Sequence, residues 1–204
     1  MFYLKKTYVK IITIFLSLSN IHQADLRMEL NKDKYKEIYG KILRLLDEKN
    51  KIYDPSEEMS YVLEYKIYYL LSILIFKNLQ AQEILIEEYK LLDIIDEKCA
   101  KYFDLMNMII NSNKNKKELA QQKIESLVKT ISKFYEMITY LLSGERGLYN
   151  KERIKLINVK NSNFSNLYEI LTENDNFVNK YETFRTSYVW IKKLLRSIET
   201  DENI

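Results

Sequence analysis

One proline and three glycines are all that 204 residues contain, and between Pro55 and Gly144 there is neither. Sheets folded back on themselves need glycine, proline or Asn-Gly pairs at each tight turn. A many-stranded barrel or sandwich is therefore excluded, and so are the glycine-rich loops that cradle phosphates or dinucleotides. After Ala24 the apolar residues recur every 3.5 to 3.6 positions, with no period-two alternation bounded by glycine turns. The expected fold is all-α, a bundle of about five to six helices, and a chain of this length can bury one core of good size.

The helices are delimited by the few breakers there are. Tyr35, Ile38, Ile42, Leu45 and Ile52 repeat by three, four or seven across 29–53, widened by Tyr39, Leu46 and Tyr53, and the stripe stops at Asp54-Pro55. Proline disfavours helical geometry at the residue before it. Ser56 with Glu57 and Glu58 then starts the next helix, a hydroxyl for orphan amides and acids in the positive first turn. A break at Lys77-Asn78-Leu79-Gln80 divides the long unbroken stretch into helices over 56–77 and 80–110. The run IYYLLSILIF before Lys77 is apolar on every side, the pattern of a central core helix. Residues 111–117 read as a polar loop. A helix over 116–143 comes next and is capped by Gly144, then an irregular stretch with a polar loop at 160–166 and a short helix at 164–171.

The N-terminus has a different character. Lys5, Lys6 and Lys10 precede the uncharged apolar run Ile11 to Leu18, and polar residues ending at Ala24 come after it. A basic start, a short apolar middle and small residues at the end make up the form of a secretory signal peptide, with cleavage expected after Ser19 or Ala24. The domain division is thus a signal segment, 1–24, and a single helical domain, 25–204. Eight apolar residues fall far short of the roughly 30 Å of a bilayer core, so no membrane span is expected in the mature form. The expected location is secreted, periplasmic or at the cell surface.

That division reorganises the charge. The whole chain carries 32 basic against 29 acidic residues, and the three lysines of the leader account for the excess. The mature domain is formally neutral, and its densest basic run, Lys114, Lys116 and Lys117, adjoins Glu118. Nucleic-acid binding, which needs a patch able to release several counterions, is not expected. His22 leaves with the leader, taking the commonest general base and metal ligand. Helical di-metal sites need Glu-x-x-His pairs, and none occurs. Cys99 has no partner base in the pattern and reads as a small buried residue. Glu87, Glu88, Asp93, Asp96 and Glu97 fall where they decorate a solvated helix face. No catalytic residue, cofactor or metal ligand is assigned, and the chain reads as a non-enzyme. Asn163-Phe164-Ser165 matches the N-glycosylation acceptor pattern.

The last helix, expected over 177–198, carries the most regular pattern. Phe177, Tyr181, Phe184, Tyr188, Ile191, Leu195 and Ile198 alternate four and three, a seam of three heptads. It packs within the bundle or joins two copies as a homo-oligomer. Off the seam lie Trp190 and Leu194, with Arg185 and Lys193 nearby, residue types that anchor protein interfaces. Arg185, Trp190, Lys193 and Leu194 are the expected partner-binding patch.

Lys, Ile, Asn and Tyr supply about two-fifths of the chain, far above ordinary usage. With the export signal and long helices lacking catalytic residues, this composition resembles the exported all-helical surface antigens of Lyme-type and relapsing-fever spirochaetes. The resemblance implies an exported or surface-associated helical protein that binds another protein, a host factor among them. It departs from most of that group in having no cysteine after the signal for lipid attachment. The alternatives are a self-assembling structural protein and a cytoplasmic helical scaffold or regulator.

Overall fold

The computed structural model describes residues 36–46, 58–114, 121–142 and 162–174, with the further positions 176, 179–182, 185, 186, 188, 189 and 192. All regular structure among these residues is helical. The α-helices are α1 (Lys36–Arg44), α2 (Glu58–Ile75), α3 (Leu79–Glu83), α4 (Leu91–Lys114), α5 (Gln121–Leu142) and α6 (Ser162–Glu173), and a π-helical turn, Ile84–Glu88, follows α3. No described helix is long and apolar enough to cross a membrane.

The core follows from the stripes. α2 packs along α5 and α4 along α6. The all-round apolar run is central: Ile67, Tyr68, Leu71, Leu74 and Ile75 are wholly buried. Phe134 of α5 is where three helices meet. Its ring centroid lies 5.1 Å from that of Tyr68 on α2 and 5.3 Å, edge on, from that of Tyr102 on α4. Aromatic pairs at such separations add about 0.5–1.5 kcal/mol beyond the area they bury. One residue along α5, Tyr135 meets Phe164 of α6 edge to face at 6.2 Å, so neighbouring positions on α5 hold different partners.

Buried polar groups stitch the helices together. Gln82 has no exposed surface, and its Nε2 donates to the carbonyls of Ile75 at 2.9 Å and Tyr140 at 3.0 Å. It ties the end of α2 to the end of α5. At the other end of the same pair, Thr130 of α5 donates to the Tyr61 carbonyl of α2 at 2.9 Å. Each bond satisfies a group that burial would otherwise leave without water.

Several boundaries differ from the sequence expectation, each for a local reason. The break after α2 is where it was expected, with Lys77 left-handed at φ 53° and the Asn78 side chain accepting from the Ala81 amide at 3.2 Å to cap α3. The expected helix over 80–110 is two elements. The chain widens into the π turn and reverses through Lys90, left-handed at φ 50°, before α4 begins at Leu91. Neither glycine nor proline marks this break. Conversely, Asn111–Lys114 continue α4. Weakly helix-disfavouring residues cost little at the end of a helix whose core face is already packed. α6 starts at Ser162, inside the stretch expected to be a polar loop. Of the first stripe, Tyr39, Ile42 and Leu46 are buried and Leu45 only partly, while Leu43, outside that stripe, is buried, so the buried line runs slightly to one side of the one expected. Gly144 and the expected leader, 1–24, with the positions where cleavage was expected, lie outside the described residues.

Candidate functional site

An open cleft lies where α1 meets the π turn and the start of α4. Tyr89, the residue after the π turn, organises it. Its ring crosses α1 over Gly40, where a Cβ would come within 2.9 Å of Tyr89 Cε1. Glycine at 40 is what allows this approach. The Tyr89 hydroxyl donates to the Lys36 carbonyl at the first residue of α1. Lys36 Nζ in turn contacts Glu88 at 3.1 Å. These contacts fasten α1 to the π turn and leave a cleft of about 400 Å³ beside them. Leu43, Leu46 and Ile94 supply its apolar surface, Tyr89 its wall, and Arg44 and Glu97 its charged rim. Such a cleft, mainly apolar with a few polar groups, suits recognition of a ligand or side chain. π turns inside helices recur at functional sites. Tyr39, next to Gly40, is fully buried with its ring 6.3 Å from that of Tyr89. Burial, and secondarily Tyr89, push its phenol pKa up to about 12. Its hydroxyl has no hydrogen-bond partner among the described residues.

A second polar cluster is centred on a buried carboxylate. Glu64 of α2 has no exposure and accepts through Oε1 from Lys98 and Lys101 of α4, both at 3.0 Å. Its Oε2 accepts from the Tyr102 hydroxyl at 3.1 Å, and that hydroxyl pairs with Tyr68 at 2.9 Å. Burial, reinforced by the Glu64 charge, holds the Tyr102 phenol well above its ordinary pKa. The carboxylate has three donors around it and is shut off from solvent. These bonds link α2 to α4 through the buried carboxylate.

Cys99 is buried on the same helix, and burial, with the nearby Asp96 charge, pushes its thiol well above the ordinary value. A nucleophilic cysteine needs the opposite shift. Asp96 is half-buried and accepts from Asn163 Nδ2 at 3.1 Å, so the asparagine of the glycosylation pattern clasps α6 to α4 beside the fully buried Phe164. Glu87, Glu88, Asp93 and Glu97 are exposed, as a solvated face requires, and only Asp96 turns inward. Among the described residues no three of His, Cys, Asp and Glu gather as a metal ion would need.

Of the expected partner patch, Arg185 is exposed, while Trp190, Lys193 and Leu194 lie outside the described residues. Of the seam, Tyr188 is buried and its hydroxyl donates to Thr172 Oγ1 of α6 at 2.9 Å. Tyr181 packs against the core, and burial and the Glu125 charge of α5 raise its pKa. These two positions are engaged within the chain. Phe177, Phe184, Ile191, Leu195 and Ile198 lie outside the described residues. The expected continuous helix is interrupted at Lys180 and Tyr181, which are not helical.

Sequence reasoning missed the Glu64 cluster and the cleft. The cluster has a signal: Glu64 interrupts the apolar row Tyr61, Tyr68, Leu71 and Ile75, and Lys98 interrupts the row Leu91, Ile95, Tyr102 and Met106. Opposite charges set into two core stripes imply a buried pair. The cleft has none, because it depends on the unmarked break at Lys90.

The chain matches no protein-family model, no curated protein and no solved structure.

Proposed function

We propose that this chain is an exported or surface-associated helical protein that acts by binding another protein, without catalysis of its own. The observation that carries the reading is where the reactive side chains sit. Glu64 is enclosed by its own lysines and tyrosine, and Cys99 is buried with its thiol held neutral. What the described residues turn outward is shape and charge: an open cleft rimmed by Arg44 and Glu97, and long helical faces. Rigid helices presenting a fixed surface suit recognition, and binding requires no ionisable catalyst.

The leader-like segment, with its three lysines and apolar run, supports export. Neutrality of residues 25–204 supports a protein partner over nucleic acid or an anionic membrane. Arg185, Trp190, Lys193 and Leu194 remain a candidate contact patch on the last segment. A pull-down with the mature domain beside Trp190→Ala tests that patch. Loss of a captured partner in the variant supports it, and unchanged capture removes Trp190 from the interface.

A further inference from the structure

The geometry points to the cleft between α1 and α4 as a docking site for a basic, amphipathic segment of a partner protein. This rests on the proposed binding role and adds the partner's chemistry. From Leu79 to Glu97 the chain carries six acids (Glu83, Glu87, Glu88, Asp93, Asp96, Glu97) against one base, Lys90, a local charge of −5 of which the Lys36–Glu88 ion pair offsets one. Residues 25–204 as a whole are neutral, so this strip stands out from its own background. All of these acids except Asp96 are exposed.

The strip borders an apolar surface. Glu97 forms part of the cleft's rim, Ile94 lies one turn before it inside the cleft, and Asp93 precedes Glu97 by four residues on the same side of α4. Leu43, Leu46 and Tyr89 complete the apolar wall. A ligand that fills such a site places an apolar side chain in the cleft and lysine or arginine along the acidic flank. Residues three and four apart on a helix share a face, so a short amphipathic helix meets both requirements. Arg44 on the opposite rim disfavours a uniformly cationic occupant lying across the cleft and so orients the segment along α4.

The test uses the full chain and a synthetic leucine–lysine peptide with its apolar positions at helical spacing. Its controls are a scrambled peptide of the same composition and a leucine–glutamate counterpart. Binding is read by fluorescence anisotropy in low and high salt for the parent chain, Asp93→Asn/Glu97→Gln and Trp190→Ala. Both charge substitutions are on exposed positions, and unchanged thermal melting checks the fold. The expected result is that the leucine–lysine peptide binds parent and Trp190→Ala alike. It should bind the charge variant about tenfold more weakly at low salt, with the difference closing in high salt. No binding, equal binding to the charge variant, equal binding of the scrambled peptide, or preference for the acidic peptide overturns the assignment. So does self-association of the chain that the charge variant abolishes, which would make the occupant a second copy. None of these results touches the reading of an exported binder, which fails separately if protein recovered inside the cell keeps Met1.

Discussion

Tyr39 shows how much a single side chain is constrained by its surroundings. Its hydroxyl is buried without a partner among the described residues, and an unsatisfied buried polar group costs stability that its removal returns. Tyr39→Phe is expected to stabilise the chain by about 1 kcal/mol at neutral pH, measured by urea denaturation. The same residue sets an alkaline limit. Folding favours the neutral phenol, with a pKa of about 12 against 10.0 for the free group. The folded state therefore holds its proton where the unfolded state loses it. The contribution is intact below pH 10 and drains away as pH rises from 10 to 12. Denaturation midpoints should fall across that window, and less steeply in Tyr39→Phe. Glu64 carries the opposite lesson. Removing the carboxylate that Lys98 and Lys101 share is expected to cost about 3 kcal/mol or more in Glu64→Ala. A midpoint unchanged in that variant would show that the ion cluster does not hold α2 to α4.

At the scale of elements, the breaks decide where the surface opens. Lys90 adopts a left-handed conformation that costs an L-residue about 1–2 kcal/mol. Lys90→Gly should raise stability by about 1 kcal/mol in thermal denaturation, because glycine takes the same φ without that cost. A loss in its place would mean the lysine side chain is itself needed there. Much of this scale was legible in the residues. The apolar run before Lys77 is the core of α2, Leu127, Ile131, Phe134, Ile138 and Leu141, spaced four and three along the chain, form the buried face of α5, and Asn78 caps where a break was expected. The turn at Tyr89-Lys90 was not legible. Helix breaks without glycine or proline arise from tertiary packing, here Tyr89 seated over Gly40 and bonded to the first turn of α1, contacts between residues about 50 positions apart. The cleft inherits that illegibility. The acidic strip was visible as a run of carboxylates, and what sequence alone lacked was the apolar surface beside it.

At the scale of the molecule, a three-way aromatic contact at Phe134 and two ties at opposite ends of α2 and α5 make the helices one cooperative core. Phe134→Ala is expected to cost about 3–5 kcal/mol, read as a lowered denaturation midpoint. Among the described residues Glu64, Lys98 and Cys99 lie inside that core, and the cleft beside Tyr89 lies open at its edge, an arrangement consistent with the proposed binding role. We propose that this shape is delivered outside the cell after a leader is removed. Intact mass measurement of the protein recovered from its source cells decides this: extracellular or surface-bound protein beginning at residue 20 or 25 is expected. Cytoplasmic protein still carrying Met1 and the rest of the segment to Ala24 would contradict it.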